Sequence, residues 1–204
     1  MALQDANGLP RLFLIRHGDT EWSDSHQHTG RTDIPLTPSG EQHALRLKAM
    51  LKEEKFSRVF TSPLIRARRT CELAGFTVRA EINPDLCEWD YGDFEGRTTA
   101  DIQRMRPDWE LFRDGAPNGE SPEQVATRAD QFLKLVRPID GDVAAFSSGH
   151  IIRMIAARWL CLLPPDARGF YTATASVGIL GYEHSKIEPV VLLWNGAPPI
   201  DPLT

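Results

Sequence analysis

An arginine–histidine–glycine triplet, Arg16-His17-Gly18, and a serine–glycine–histidine triplet, Ser148-Gly149-His150, each stand directly after a short apolar run. Ser62-Pro63-Leu64-Ile65-Arg66-Ala67 stands after a third such run. Brought to one rim, these segments juxtapose two histidines and two arginines. The planar donor fork of a guanidinium matches the oxygens of a phosphate. A neutral histidine is a nucleophile toward phosphorus. Neighbouring guanidinium charges depress its pKa and keep the ring unprotonated at neutral pH. The same charges stabilise the equatorial oxygens of an in-line phosphoryl transfer, to which the second histidine adds a hydrogen bond.

The rim has to be built by strands that end where these segments begin. Residues 12–15, 58–61, 77–82 and 143–147 read as short strands, and 176–182 and 190–194 as two more joined by a turn. Thr37-Pro38 reads as an N-cap followed by proline, opening a helix with Ala44, Leu47 and Leu51 on one face. Ser62-Pro63 repeats that start, for a helix to about residue 74. Ser121-Pro122-Glu123-Gln124 reads as a capping box, followed by Val125, Ala129, Phe132, Leu133 and Val136 at helical spacing. Residues 151–159 read as a further helix. The stretch 18–38 reads as a long loop, and 83–120 as an excursion of short helices within one domain spanning 1–204. Strands alternating with helices imply an α/β fold: a three-layer α/β/α sandwich with a mostly parallel central sheet. Such sheets carry their sites beyond the C-terminal ends of the strands, where the three segments fall.

The chain has 204 residues, 41% hydrophobic and 25% charged, with a formal net charge of −5. These values match soluble globular proteins and exclude a disordered chain, a collagen-like fibre and a multi-span membrane protein. The acidic balance argues against nucleic acid and anionic membrane as partners. Three widely spaced cysteines, Cys71, Cys87 and Cys161, do not make a disulfide framework or a structural zinc site. The first ten residues read as a loose leader without the pattern of a signal peptide, so a cytoplasmic location is expected.

Leu14-Ile15-Arg16-His17-Gly18-Asp19-Thr20 resembles the signature of the histidine phosphatase superfamily, whose fold is the phosphoglycerate mutase-like one. The resemblance continues through Thr29-Gly30, Pro35-Leu36-Thr37, Gly40, Ser62-Pro63, Arg66-Ala67, Glu88, Tyr91-Gly92, Glu95-Gly96 and Gly149-His150, nearly the whole chain. It implies His17 as the nucleophile that becomes phosphohistidine. Arg16, Arg66 and His150 would complete the phosphate pocket. Glu88 matches the proton donor, with Asp90 the next candidate ahead of Asp93 and Glu95. Ser23, Thr29, Gly30, Tyr91 and Gly149 match substrate-binding positions, with Ser23 standing where many relatives have asparagine. Neither metal nor cofactor is implied, and the partner is a small phosphorylated metabolite; the oligomeric state is not fixed.

Phosphoglycerate mutases usually carry arginine directly after the acidic residue, where this chain has Trp89. No adjacent arginine pair follows in the excursion. Both departures favour a phosphatase. The blocks Thr20-Glu21-Trp22-Ser23, Thr29-Gly30 with Thr32-Asp33, and Glu88-Trp89-Asp90-Tyr91-Gly92 look most like the fungal sedoheptulose-1,7-bisphosphatase branch. A phosphoglycerate mutase, a phosphoprotein phosphatase and a phosphate-binding scaffold stay open as alternatives. Trp89, Tyr91 and Phe94 either face a sugar ring or pack the excursion onto the core. His26 and His28, with Asp24 and His43 near in sequence, we read as solvated loop histidines rather than metal ligands.

Overall fold

The computed structural model describes residues 8–197. Most of the expected leader lies outside them. Six strands form one sheet: β1 (Leu12–Arg16), β2 (Phe56–Thr61), β3 (Ala80–Ile82), β4 (Asp142–Ser147), β5 (Val177–Tyr182) and β6 (Pro189–Gly196). Their order is β3-β2-β4-β1-β5-β6. β1 pairs in parallel with β4, and β2 in parallel with both β4 and β3. β5 runs antiparallel to β1 and to β6, so it alone opposes the rest.

Strand periodicity divides the core. Leu12 and Leu14 face one layer, with Phe132, Leu133, Ile151 and Ile155, while Phe13 and Ile15 face the other, with Leu47, Leu51 and Cys71. The helices α6 (Pro122–Val136) and α7 (Gly149–Trp159) therefore cover one face, and α2 (Pro38–Leu51) and α3 (Ile65–Leu73) the other. This is the expected three-layer arrangement. The capped helix starts hold: the Thr37 hydroxyl accepts from Gly40 N–H, and Ser121 and Gln124 form the reciprocal box.

Three local readings need correction. The loop after β1 contains a short helix, α1 (Glu21–Asp24), because Thr20 and Ser23 cap each other's backbone N–H groups. The helix expected from Ser62-Pro63 begins at Ile65. Ser62 N–H still bonds Phe146 C=O in the sheet, and the Asp33 carboxylate accepts from Ile65 N–H at 2.7 Å. A residue brought in by tertiary structure thus caps α3 in place of the local serine. The strand expected over 77–82 is a 3₁₀ turn, Thr77–Arg79, followed by only three strand residues. The excursion does consist of short helices, α4 (Thr99–Met105) and α5 (Leu111–Asp114), with 3₁₀ turns at Pro84–Leu86 and Gly92–Phe94.

The topology places the site. From β1 the chain moves past β4 to reach β2, whereas from β4 it moves past β1 to reach β5. The switch in direction lies between β1 and β4, which opens a crevice beyond their C-terminal ends. Arg16 and Ser147 are register partners there, and His17 N–H bonds Ser147 C=O at 2.9 Å. The loop leaving β1 turns against the start of α2 so tightly that a Cβ on Gly18 would sit 2.3 Å from Gly40 O, and one on Gly40 would sit 2.1 Å from Asp19 O. Only glycine fits that crossing.

Candidate active site

A cleft of about 340 Å³ opens at this crevice, with Arg16, His17, Glu88, Tyr91, Gly149 and His150 among its walls. His17 is 4% exposed. Its Nδ1 lies 2.7 Å from Gly18 O. A carbonyl oxygen can only accept, so Nδ1 carries the proton and Nε2 keeps its lone pair. Burial, then Arg66, then Arg16 hold the His17 pKa well below the usual histidine range. The imidazole is therefore neutral, and the backbone sets which of its nitrogens keeps a lone pair.

Arg66 is buried and Arg16 half-buried, and among the described residues neither meets a carboxylate within ion-pair distance. Arg16 donates to Thr172 O at 2.6 Å. A side chain at position 149 would crowd it, since a Cβ there would sit 3.2 Å from Arg16 Cζ. Arg66 donates to Thr29 O, Gly30 O and Thr32 O at 2.8–3.0 Å. Three buried polar side-chain atoms among the described residues have no partner: Arg16 Nε, Arg66 Nε and Ser148 Oγ. They come from the three segments that follow β1, β2 and β4. An unmet buried donor costs about 1–3 kcal/mol, more if charged. Two guanidinium N–H groups without a protein partner are donors suited to an anion.

Glu88 sits at the N-terminus of α7. Its carboxylate accepts from Trp89 N–H, His150 N–H and Ile151 N–H, each at 2.9 Å. Arg128 on α6 holds the segment that carries it, donating to Asp85 O and Cys87 O and to both oxygens of Glu120. Glu120 in turn accepts from Asp90 N–H, which binds this segment a second time. His150 Nδ1 lies 2.5 Å from the Tyr91 hydroxyl. Burial, assisted by Glu88 and Glu95, raises the Tyr91 pKa well above the usual phenol value, so the hydroxyl keeps its proton, and the direction of its bond to His150 follows the tautomer of that ring. Burial, Arg153, His28 and Arg16 hold the His150 pKa well down. A neutral ring that accepts at Nδ1 carries its own proton on Nε2.

The other expected residues divide. Ser23 and Thr29 line the cleft, but the Ser23 hydroxyl already donates to Thr20 O. Gly30 is behind the wall, where its C=O accepts from Arg66 and its N–H donates to Glu95. Trp89 is fully buried, edge-on to Phe112 at 5.3 Å, and Phe94 packs edge-on to Trp109. Both belong to the core, whereas Tyr91 reaches the cleft. His43 pairs with Asp19 at 2.5 Å, away from His26 and His28. His28 is a correction: it lines the cleft against Tyr91, Trp109 and His150, and burial lowers its pKa to about 4. Arg153, Thr99 and Tyr171 also line the cleft without having been singled out. For Arg153 a signal existed, because three residues after His150 on a helix is the same face.

Residues 12–196 match the model of the histidine phosphatase superfamily, branch 1. An acid phosphatase of Mycobacterium tuberculosis is 41% identical over 192 residues, covering 92% of this chain and 94% of its own. The sedoheptulose 1,7-bisphosphatase of Saccharomyces cerevisiae is 35% identical over 185 residues, covering 75% of this chain and 68% of its own. Among solved structures, that of the M. tuberculosis open reading frame Rv3214 superposes with a TM-score of 0.88 at 37% identity, covering 93% of this chain and 98% of that one. No helix among the described residues is long and apolar enough to cross a membrane. With the match running from the first residue of β1 to the last of β6, the chain belongs to the histidine phosphatase superfamily and is a phosphatase acting on phosphorylated substrates.

Proposed function

We propose that the chain hydrolyses small phosphorylated metabolites through a phosphohistidine on His17, without metal. In the first step His17 Nε2 bonds phosphorus while the ester P–O bond breaks, and the leaving oxygen takes a proton from Glu88. In the second, the Glu88 carboxylate takes a proton from water, the water oxygen bonds phosphorus, and the P–N bond breaks to release orthophosphate. Arg16, Arg66 and the His150 Nε2–H stabilise the phosphoryl oxygens throughout. The observation that carries this reading is the His17 ring, proton-fixed by Gly18 O and depressed in pKa by burial and then by two guanidinium groups.

A cleft of about 340 Å³ is near the small end for ligand sites and suits a metabolite better than a phosphoprotein. The substrate class we propose is a sugar phosphate or sugar bisphosphate, sedoheptulose 1,7-bisphosphate among them. Identity to the yeast enzyme of that name supports it. So does Trp89, buried in the core where mutases place a cation. The test is phosphate release from a sugar-phosphate panel in EDTA, beside 3-phosphoglycerate primed with its bisphosphate. Release that persists in EDTA is expected. Transfer between phosphoglycerates without release would replace this reading with a mutase.

Tyr91 is a positioning residue in this scheme. Tyr91→Phe removes one hydroxyl and frees His150 to place its proton on either nitrogen. About a tenfold fall in kcat is expected, with KM changed less. A KM rise at unchanged kcat would instead make Tyr91 a substrate contact.

A further inference from the structure

Arg153 is the cleft cation that the scheme above does not use. It lies on α7, half-buried, with its guanidinium carbon 4.5 Å from the centre of the Phe112 ring. That ring is 5.5 Å from His150, so Arg153 stands one aromatic layer beyond the histidine. Its Nε and Nη2 donate to Ala167 O and Arg168 O, in the turn Pro164–Gly169. Its Nη1 has no hydrogen-bond partner among the described residues, and no carboxylate comes within ion-pair distance. An arginine on the surface of a chain with net charge −5 has acidic neighbours to choose from. This one faces a cleft whose sole acidic wall residue among the described residues is Glu88, itself occupied by three backbone N–H groups.

Apart from His26, at the exposed side of the α1 loop, the remaining walls are neutral and polar. Gln27, Thr99 and Tyr171 offer amide and hydroxyl groups, and burial keeps His28 uncharged. The cleft thus holds one cation, Arg16, beside the neutral His17, and a second cation, Arg153, among groups that suit hydroxyls. A phosphomonoester with a single charged end fills the first and leaves the second unmatched.

We propose that Arg153 is a second anion site, and that the preferred substrates carry a further phosphate or carboxylate away from the phosphoryl group that is transferred. This deepens the phosphohistidine reading and rests on it. Guanidinium favours either anion through paired N–H donors. Phosphate and carboxylate are separated by the substrates used, not by the site's geometry.

The test compares fructose 1,6-bisphosphate with fructose 6-phosphate and fructose 1-phosphate, and phosphoglycerate with glycerol phosphate. Wild type is expected to favour the doubly anionic member of each matched set by tenfold or more in kcat/KM. Arg153→Met keeps a long side chain over Phe112 and should reduce that preference at least tenfold, and Arg153→Lys should restore part of it. A purely structural role, in which Arg153 only tethers the 164–169 turn, would lower all rates together and leave the ratio intact. That result overturns the proposal, as does a wild type that does not discriminate. Calorimetric affinities for the same compounds on His17→Ala protein give the ratio without turnover. A failed phosphohistidine reading would show as absent release or release that survives loss of His17, while the affinity ratio still decides the role of Arg153.

Discussion

His17→Ala is expected to lower phosphate release by about 10⁴-fold or more on every substrate, leaving the fold intact. Alanine offers no lone pair to phosphorus, and no neighbour replaces it. His150 has its Nδ1 engaged by Tyr91. The wild type quenched in alkali during turnover should carry an acid-labile phosphate of one phosphoryl mass, absent from the variant. A well-folded variant keeping a hundredth of the rate would sink His17 as nucleophile. The pH profile gives a second reading. Burial, Arg66 and Arg16 hold the His17 pKa below its usual value of 6.5, so the neutral, reactive ring persists as pH falls through the ordinary histidine range. The acid limb of kcat/KM governed by this group is therefore expected below pH 6.5. Removing either guanidinium charge should move that limb upward.

How much of this was legible in the chain depends on how locally each feature is determined. β1 and β4 are short apolar runs ending in polar triplets, and the sheet buries them as such. α2 and α6 carry their N-caps in their own sequence, so their starts are readable to the residue. α3 takes its cap from Asp33 in a distant loop, and the nearer Ser62 misleads. The histidine and arginine pair at the head of the site follow strand ends and a motif. His28 does not. Its surroundings are Tyr91, Trp109 and His150, from three other segments, and in sequence it is one polar residue in a polar loop. Gly30 reads as a substrate contact because it travels with the motif. Its carbonyl in fact holds Arg66, one step behind the cleft wall. Ala175 is similarly silent in sequence, yet it adopts a left-handed φ of +50° while its N–H bonds His17 O. Such strain costs about 1–2 kcal/mol and is held by the loop that also binds Arg16.

Glu88→Gln separates the two halves of the proposed cycle. With an alkyl phosphate the leaving alkoxide needs a proton, and turnover should fall about 10²- to 10⁴-fold. p-Nitrophenolate leaves without one, so phosphorylation of His17 should remain fast on p-nitrophenyl phosphate. Hydrolysis of the phosphohistidine still needs a base for water, and the amide cannot supply it. The variant should therefore release a burst of p-nitrophenol close to one equivalent per active site, followed by slow turnover. The same substitution has a structural effect. The carboxylate now accepts from Trp89, His150 and Ile151 N–H, and an amide offers one acceptor oxygen and a donor that opposes those N–H groups. Stability should drop by about 1–3 kcal/mol, read from the denaturation midpoint at unchanged slope. The burst is the decisive part, because loss of stability slows neither step selectively. Equal slowing on both substrates with no burst would assign Glu88 to holding α7 and His150, and the proton transfer would pass to another group at the cleft.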